Sequence, residues 1–112
     1  ASLTVLEARI GFPKPGFTTC GDLIQRFGVP HYLKVDTDGM ELACLATLDR
    51  KHLPRYLSVE LLDSTHVDTC CEQESAILAR LHSLGFTHFK LVRQRLYNVV
   101  LHTSELGPHA TI

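Results

Sequence analysis

The spacing of apolar and polar positions changes period several times along the chain, and each change marks a candidate element. Residues 2–7 alternate, with Leu3 and Val5 on one side, which predicts a short strand. Gly11, Pro13, Pro15 and Gly16 then interrupt regular structure and predict a loop. Thr19, followed three residues later by Asp22, is a capping-box pattern. Leu23, Ile24 and Phe27 line one face of the short helix behind it, which Gly28 and Pro30 end. Residues 32–36 form the next predicted strand. A second helix is predicted from near Gly39 to about Leu48. Met40, Leu42, Cys44, Leu45 and Leu48 would cover most of its surface, so it should be buried. Residues 51–55 are a basic connector broken by Pro54, and residues 56–62 are rich in β-formers. Residues 63–72 are polar and read as a loop. Residues 73–84 carry the clearest helical signal, with Ile77, Leu81 and Leu84 on one face, Leu78 alongside and Gly85 as the stop. Residues 89–92 and 96–101 are two further strands, close enough for an antiparallel hairpin. The tail after Thr103 is polar, and residues 104–112 are expected to fray.

Strands alternating with helices at short intervals imply parallel βαβ units, so the expected class is α/β. A closing antiparallel hairpin is compatible with a mostly parallel sheet. The chain of 112 residues is enough for one small domain and one core, so residues 1–112 are read as a single domain. Hydrophobic residues make up 45%, which argues against disorder.

Charge removes some function classes. With 11 basic and 12 acidic residues the net charge is −1, and no basic excess exists to neutralise phosphates. Binding to a nucleic-acid backbone is therefore not expected. No apolar run approaches the roughly 18 residues of a membrane helix, so no membrane partner is expected. The start shows no basic stretch followed by an apolar one, and it lacks Met, as an excised segment would.

The four cysteines are Cys20, Cys44, Cys70 and Cys71, in no zinc or redox spacing. Cys44 reads as a small buried hydrophobe. His66, Cys70 and Cys71 supply three ligand types with no fourth nearby, so no metal is expected there. The simplest reading is free thiols in a reducing cytoplasm.

Open α/β sheets bind ligands beyond the carboxyl ends of their strands. Beyond the strand at 32–36 lies Asp36-Thr37-Asp38-Gly39-Met40-Glu41, the densest acidic cluster. Glu60 ends the next strand beside Val59, Leu61 and Leu62, where an acid needs a partner or a ligand. Structural roles compete for each. Asp38-Gly39 is a good turn pair, and Asp38 could cap the next helix. Glu41 in a first turn is favoured by the helix dipole. Glu60 could pair with Arg55 or Lys51. The Asp-x-Asp-Gly run is similar to a calcium loop, but Thr47 stands where that loop needs Glu. It also resembles the first motif of haloacid dehalogenase-like phosphatases, with Asp36 as nucleophile and Asp38 as acid. Against that, Met40 and Glu41 follow the glycine, and Val92 is followed by Arg93 and Gln94 rather than by an acidic pair.

The run Phe27-Gly28-Val29-Pro30-His31-Tyr32-Leu33-Lys34-Val35-Asp36-Thr37-Asp38-Gly39-Met40-Glu41-Leu42 resembles the central signature of FkbM-family methyltransferases. In that signature a helix ends at Gly-x-Pro, and a strand ends in Lys-Ile-Asp-Val-Glu-Gly with a Glu two residues later. Leu45 supplies its following leucine. Thr19-Cys20-Gly21-Asp22-Leu23 is similar to the Thr-Leu-Asp-Asp-Leu element that opens the signature region. Leu53-Pro54-Arg55-Tyr56-Leu57-Ser58-Val59-Glu60 is similar to the family's next strand. Leu84-Gly85-Phe86 and Phe89-Lys90-Leu91-Val92 are similar to its later helix and strand. The resemblance covers residues 18–94. Asp38 replaces the usual Glu, Gly21 replaces the first Asp of the opening element, and residues 9–17 read as an insertion.

The resemblance implies the C-terminal half of a class I, Rossmann-like methyltransferase domain that uses S-adenosylmethionine. The expected reaction is O-methylation of a hydroxyl on a sugar or natural-product substrate. Asp36 and Glu60 would be catalytic, with Asp38, Glu41 and Lys34 on the substrate side. The seven glycines form no close-spaced cluster, so the cofactor's glycine loop is not found, cofactor-binding residues stay unassigned, and the chain alone is expected to be inactive. Half a doubly wound sheet also exposes a strand edge, which would take up a second copy or the missing N-terminal half. The alternative is a non-catalytic α/β module for binding or oligomerisation.

Overall fold

The computed structural model describes residues 3–61, 70–93 and 98–102. Helix α1 spans Cys20–Phe27 and strand β1 Tyr32–Val35, followed by α2, Glu41–Ala46. A single 3-10 turn at Arg50–His52 leads into β2, Tyr56–Val59. Helix α3 spans Cys70–Leu84, and β3, Lys90–Arg93, and β4, Asn98–His102, close the described chain. The protein is a small α/β fold. β1 and β2 pair in parallel, with Tyr32 opposite Tyr56 and Val35 opposite Val59. β3 and β4 form the antiparallel hairpin that the sequence predicts, with a register shift between Leu91 and Val92. Among the described residues the two pairs are separate sheets.

Helix α1 starts where the sequence places it. Thr19 Oγ1 accepts from the Asp22 amide at 3.0 Å, and the Asp22 carboxylate accepts from the Thr19 amide at 3.5 Å. Such a cap contributes about 1 kcal/mol. Leu23 and Ile24 are half-buried as expected. Phe27 is instead 54% exposed, with the Arg26 guanidinium 5.0 Å from its ring centre.

The core gathers between α2 and α3 over β1. Val35, Cys44, Leu45, Leu48, Ile77, Leu81 and Leu84 are all buried in it, so the helical stripe on α3 was read correctly. Arg80 crosses from α3 to the end of α2, where its guanidinium donates to the carbonyls of Leu45, Ala46 and Leu48. Leu45 and Ala46 are the last two residues of α2, and Leu48 lies just beyond its C-cap Thr47.

The structure corrects four expectations. Residues 3–7 form no strand, and Leu3 and Val5 are exposed. An alternating segment becomes a strand only beside another strand, and the nearest bridge lies past this one, between Ile10 and Thr18, where Thr18 donates to Arg9 and Gly11 donates to Thr18. Helix α2 begins at Glu41, because Asp38 and Gly39 have φ of 50° and 109°, outside the right-handed helical region. Cys70 to Glu72 belong to α3 rather than to the polar loop. Finally, Cys20 and Cys44 are not free thiols but a disulfide, with Cα atoms 5.0 Å apart. Nothing in their separation of 24 residues signals a bond. The approach of α1 to α2 creates it. Gly21 donates to Thr47 Oγ1 at 3.0 Å, and a side chain at Gly21 would collide with the Thr47 carbonyl. A glycine is thus the residue this close approach requires. The trio of His66, Cys70 and Cys71, where no metal is expected, and the tail at 104–112 lie outside the described residues and side chains.

Candidate functional site

β1 and β2 run parallel and end side by side. Their ladder continues one step past the strands, where the Glu60 amide donates to the Val35 carbonyl at 3.0 Å. That bond sets Glu60 next to Asp36. The loop after Asp36 turns back, and a carboxylate oxygen of each of Asp36, Asp38 and Glu60 lies within 4.8 Å of the others. All three residues are exposed. Three of the expected site residues are therefore one cluster at the carboxyl end of the parallel pair, where such sheets bind ligands.

Like charges this close repel, which disfavours the ionised form of a member of the cluster. Glu60 is raised above its ordinary value of 4.5. The largest cause is a side-chain hydrogen bond with Asp36, followed by the charge of Asp36, desolvation and the charges of Asp38 and Glu41. A hydrogen bond between two carboxyl groups needs a proton on one of them. The Arg55 or Lys51 partner considered for Glu60 is replaced by an acid. Oxygen donors of this kind suit hard cations such as magnesium rather than zinc, although exposed acids commonly gather without any ion.

The remaining site residues take other positions. Glu41 is 7% exposed and faces inward to its own loop. Its Oε1 accepts from the Thr37 amide at 3.3 Å and its Oε2 from the Gly39 amide at 3.0 Å. Of the two roles the sequence leaves open, support of the turn is the one its hydrogen bonds serve. Asp38 does not cap α2. The N-cap position is Met40, which makes no side-chain cap bond. Lys34 sits on β1 with Tyr32 on the exposed side, opposite the buried Val35. Tyr32 and Ser58 share a hydroxyl hydrogen bond of 2.6 Å on that side. The Thr37 hydroxyl oxygen is buried and has no hydrogen-bond partner among the described residues.

Sequence reasoning did not single out a second polar grouping. A groove of about 720 Å³ runs between α1 and the 3-10 turn, lined among others by Thr19, Asp22, Gln25, Asp49 and His52. At its rim His52 Nδ1 and the Asp49 carboxylate are 3.2 Å apart. The Lys51 amide and then His52 hold Asp49 below its ordinary value. An Asp-x-x-His spacing ahead of a proline is the signal that was available. The groove lies apart from the acidic cluster.

Compared with models of protein families, with curated proteins and with solved structures, the chain matches none. Gly16, Gly28, Gly39 and Gly85 have positive φ, but each serves a separate turn. Among the described residues no glycine-rich loop joins a strand to a helix.

Proposed function

We propose that this chain is the acceptor side of an S-adenosylmethionine-dependent O-methyltransferase of the FkbM type, with Asp36 as base and Glu60 as its partner. The observation that supports it is the pairing of Asp36 with Glu60 at adjacent parallel strand ends. The Rossmann-like sheet belongs to the same proposal, with β1–α2–β2 as one of its βαβ units.

An alcohol must lose its proton as it attacks a methyl group, and a positioned carboxylate can take it. In this reading Asp36 takes the alcohol's proton, and Glu60 stands beside it at the neighbouring strand end. Asp38 and Lys34 stand near enough in sequence to orient a polyhydroxylated acceptor. The methyl group and the residues that hold its donor come from outside the described part of this chain. A separate segment or a second copy would meet it along an open edge of the β1–β2 pair.

No helix among the described residues is long and apolar enough to cross a membrane. Cytoplasmic location was the expectation. The Cys20–Cys44 disulfide favours an oxidising compartment instead, because that is where disulfides persist.

The test is transfer of labelled methyl from S-adenosylmethionine to sugar and natural-product alcohols by the protein that carries this chain. Transfer that disappears in Asp36→Asn and drops in Glu60→Gln is expected. Unchanged turnover in Asp36→Asn would remove Asp36 from the mechanism. No transfer at all would leave the binding module as the better reading. The gathering of Asp36, Asp38 and Glu60 also favours a second reading, a haloacid dehalogenase-like phosphatase. Magnesium-dependent release of phosphate from an aryl phosphate, lost in Asp36→Asn, would select it.

A further inference from the structure

The acidic cluster poses a mechanical problem. Asp36, Asp38 and Glu60 keep carboxylate oxygens within 4.8 Å although their charges push them apart. On the β2 side, the Glu60 amide bonded to Val35 fixes the backbone. On the β1 side, the loop must hold Asp38 at φ 50°, a left-handed conformation that costs a non-glycine residue roughly 1 kcal/mol. Something has to hold that loop closed.

Glu41 is placed to do it. Its carboxylate is almost out of solvent, where an unpaired charge would be costly. Each oxygen accepts one backbone N–H, from Thr37 and from Gly39. Those two amides flank Asp38 on either side. With both pinned to one rigid carboxylate, the chain between them has little freedom to leave the left-handed region. We propose that Glu41 is a positioning residue: its carboxylate bridges the Thr37 and Gly39 amides and so holds the loop in the shape that gathers Asp36, Asp38 and Glu60. The proposal rests on the reading of Asp36 and Glu60 as the working pair. It adds a residue that touches no substrate and acts only through them.

Charge alone offers a rival explanation, since Glu41 also contributes to the rise of Glu60. Two neutral variants separate the effects. Glu41→Ala removes both acceptors. Glu41→Gln keeps one carbonyl oxygen and nearly the same shape, and so keeps one bridge.

The experiment is carried out on the 112-residue chain by NMR, following amide exchange at Thr37 and Gly39 and the titration of the Glu60 side-chain carboxyl carbon. In Glu41→Ala, exchange at both amides is expected to speed up about tenfold or more, as for a lost charge-assisted hydrogen bond. Glu60 is expected to titrate closer to 4.5 in Glu41→Ala than in Glu41→Gln. Equal movement of Glu60 in the two variants would mean that charge alone acts, and would overturn the proposal. So would wild-type exchange rates in either variant. Should Glu41→Ala fail to fold, Glu41→Gln carries the test through one amide: faster exchange at Thr37 or Gly39 supports the bridge, and unchanged exchange at both overturns it. Methyl transfer enters none of these readouts, so failure of the enzymatic reading and failure of the bridge remain distinguishable.

Discussion

The Nε of Arg80 on α3 donates to the Leu45 carbonyl at the end of α2 at 3.0 Å, across 35 residues of sequence. Its Nη2 reaches the Ala46 and Leu48 carbonyls at 3.2 and 3.1 Å. One planar side chain thereby ends a six-residue helix that has no basic residue in its own last turn. Because α2 carries Glu41 at its start, Arg80 steadies the far end of the element that supports the acidic loop. Arg80→Ala is expected to destabilise the fold by about 2 kcal/mol, the scale of losing hydrogen bonds to a charged donor. Arg80→Lys should recover only part, because the compact ammonium lacks the planar fork that spans the three carbonyls. Urea unfolding of the three proteins measures both.

The Cys20–Cys44 disulfide ties the start of α1 to the middle of α2. Reduction, or the double replacement Cys20→Ser with Cys44→Ser, is expected to cost about 3 kcal/mol. Without reductant, Cys20 and Cys44 should resist alkylation in the denatured chain, and with reductant both should react. Mass spectrometry of the alkylated peptides reads this directly. Full alkylation of Cys20 without reductant would remove the bond from the account.

Glu60 gives stability a pH dependence of definite sign. Its folded value is raised above 4.5, so the folded chain holds this proton more tightly than the unfolded one. The contribution is fully present below the ordinary glutamate range and is lost as pH rises through the raised value. Glu60→Gln cannot titrate and should flatten that part of the profile. Melting temperatures of both proteins between acid and neutral pH check it. A wild-type profile no steeper than that of Glu60→Gln would contradict the raised value.

Much of this was legible in the sequence, where the signal was local. The capping box at Thr19 and Asp22, the stripe of Ile77, Leu81 and Leu84, and the acids at the two strand ends are all written within a few neighbouring positions. The proximity of Asp36 and Glu60 followed from one further rule, that parallel strands end together. What escaped depends on distant partners. Leu3 and Val5 alternate as a strand would, but pattern cannot supply the neighbouring strand. The disulfide needs α1 and α2 to meet, which Gly21 and Thr47 allow and no spacing announces. Glu41 could be assigned to substrate or to turn from sequence, and only the direction of its two hydrogen bonds decides. Asp38 suits the left-handed conformation found there, which Asp adopts more readily than most non-glycine residues.

The account stands on Asp36 and Glu60 acting as one pair, and the titration of the Glu60 carboxyl carbon in wild type and in Asp36→Asn tests that most directly. Glu60 should titrate above 4.5 in the wild type and fall back toward it once Asp36 loses its charge. A Glu60 that titrates at its ordinary value in the wild type, or that ignores Asp36→Asn, would contradict the pairing.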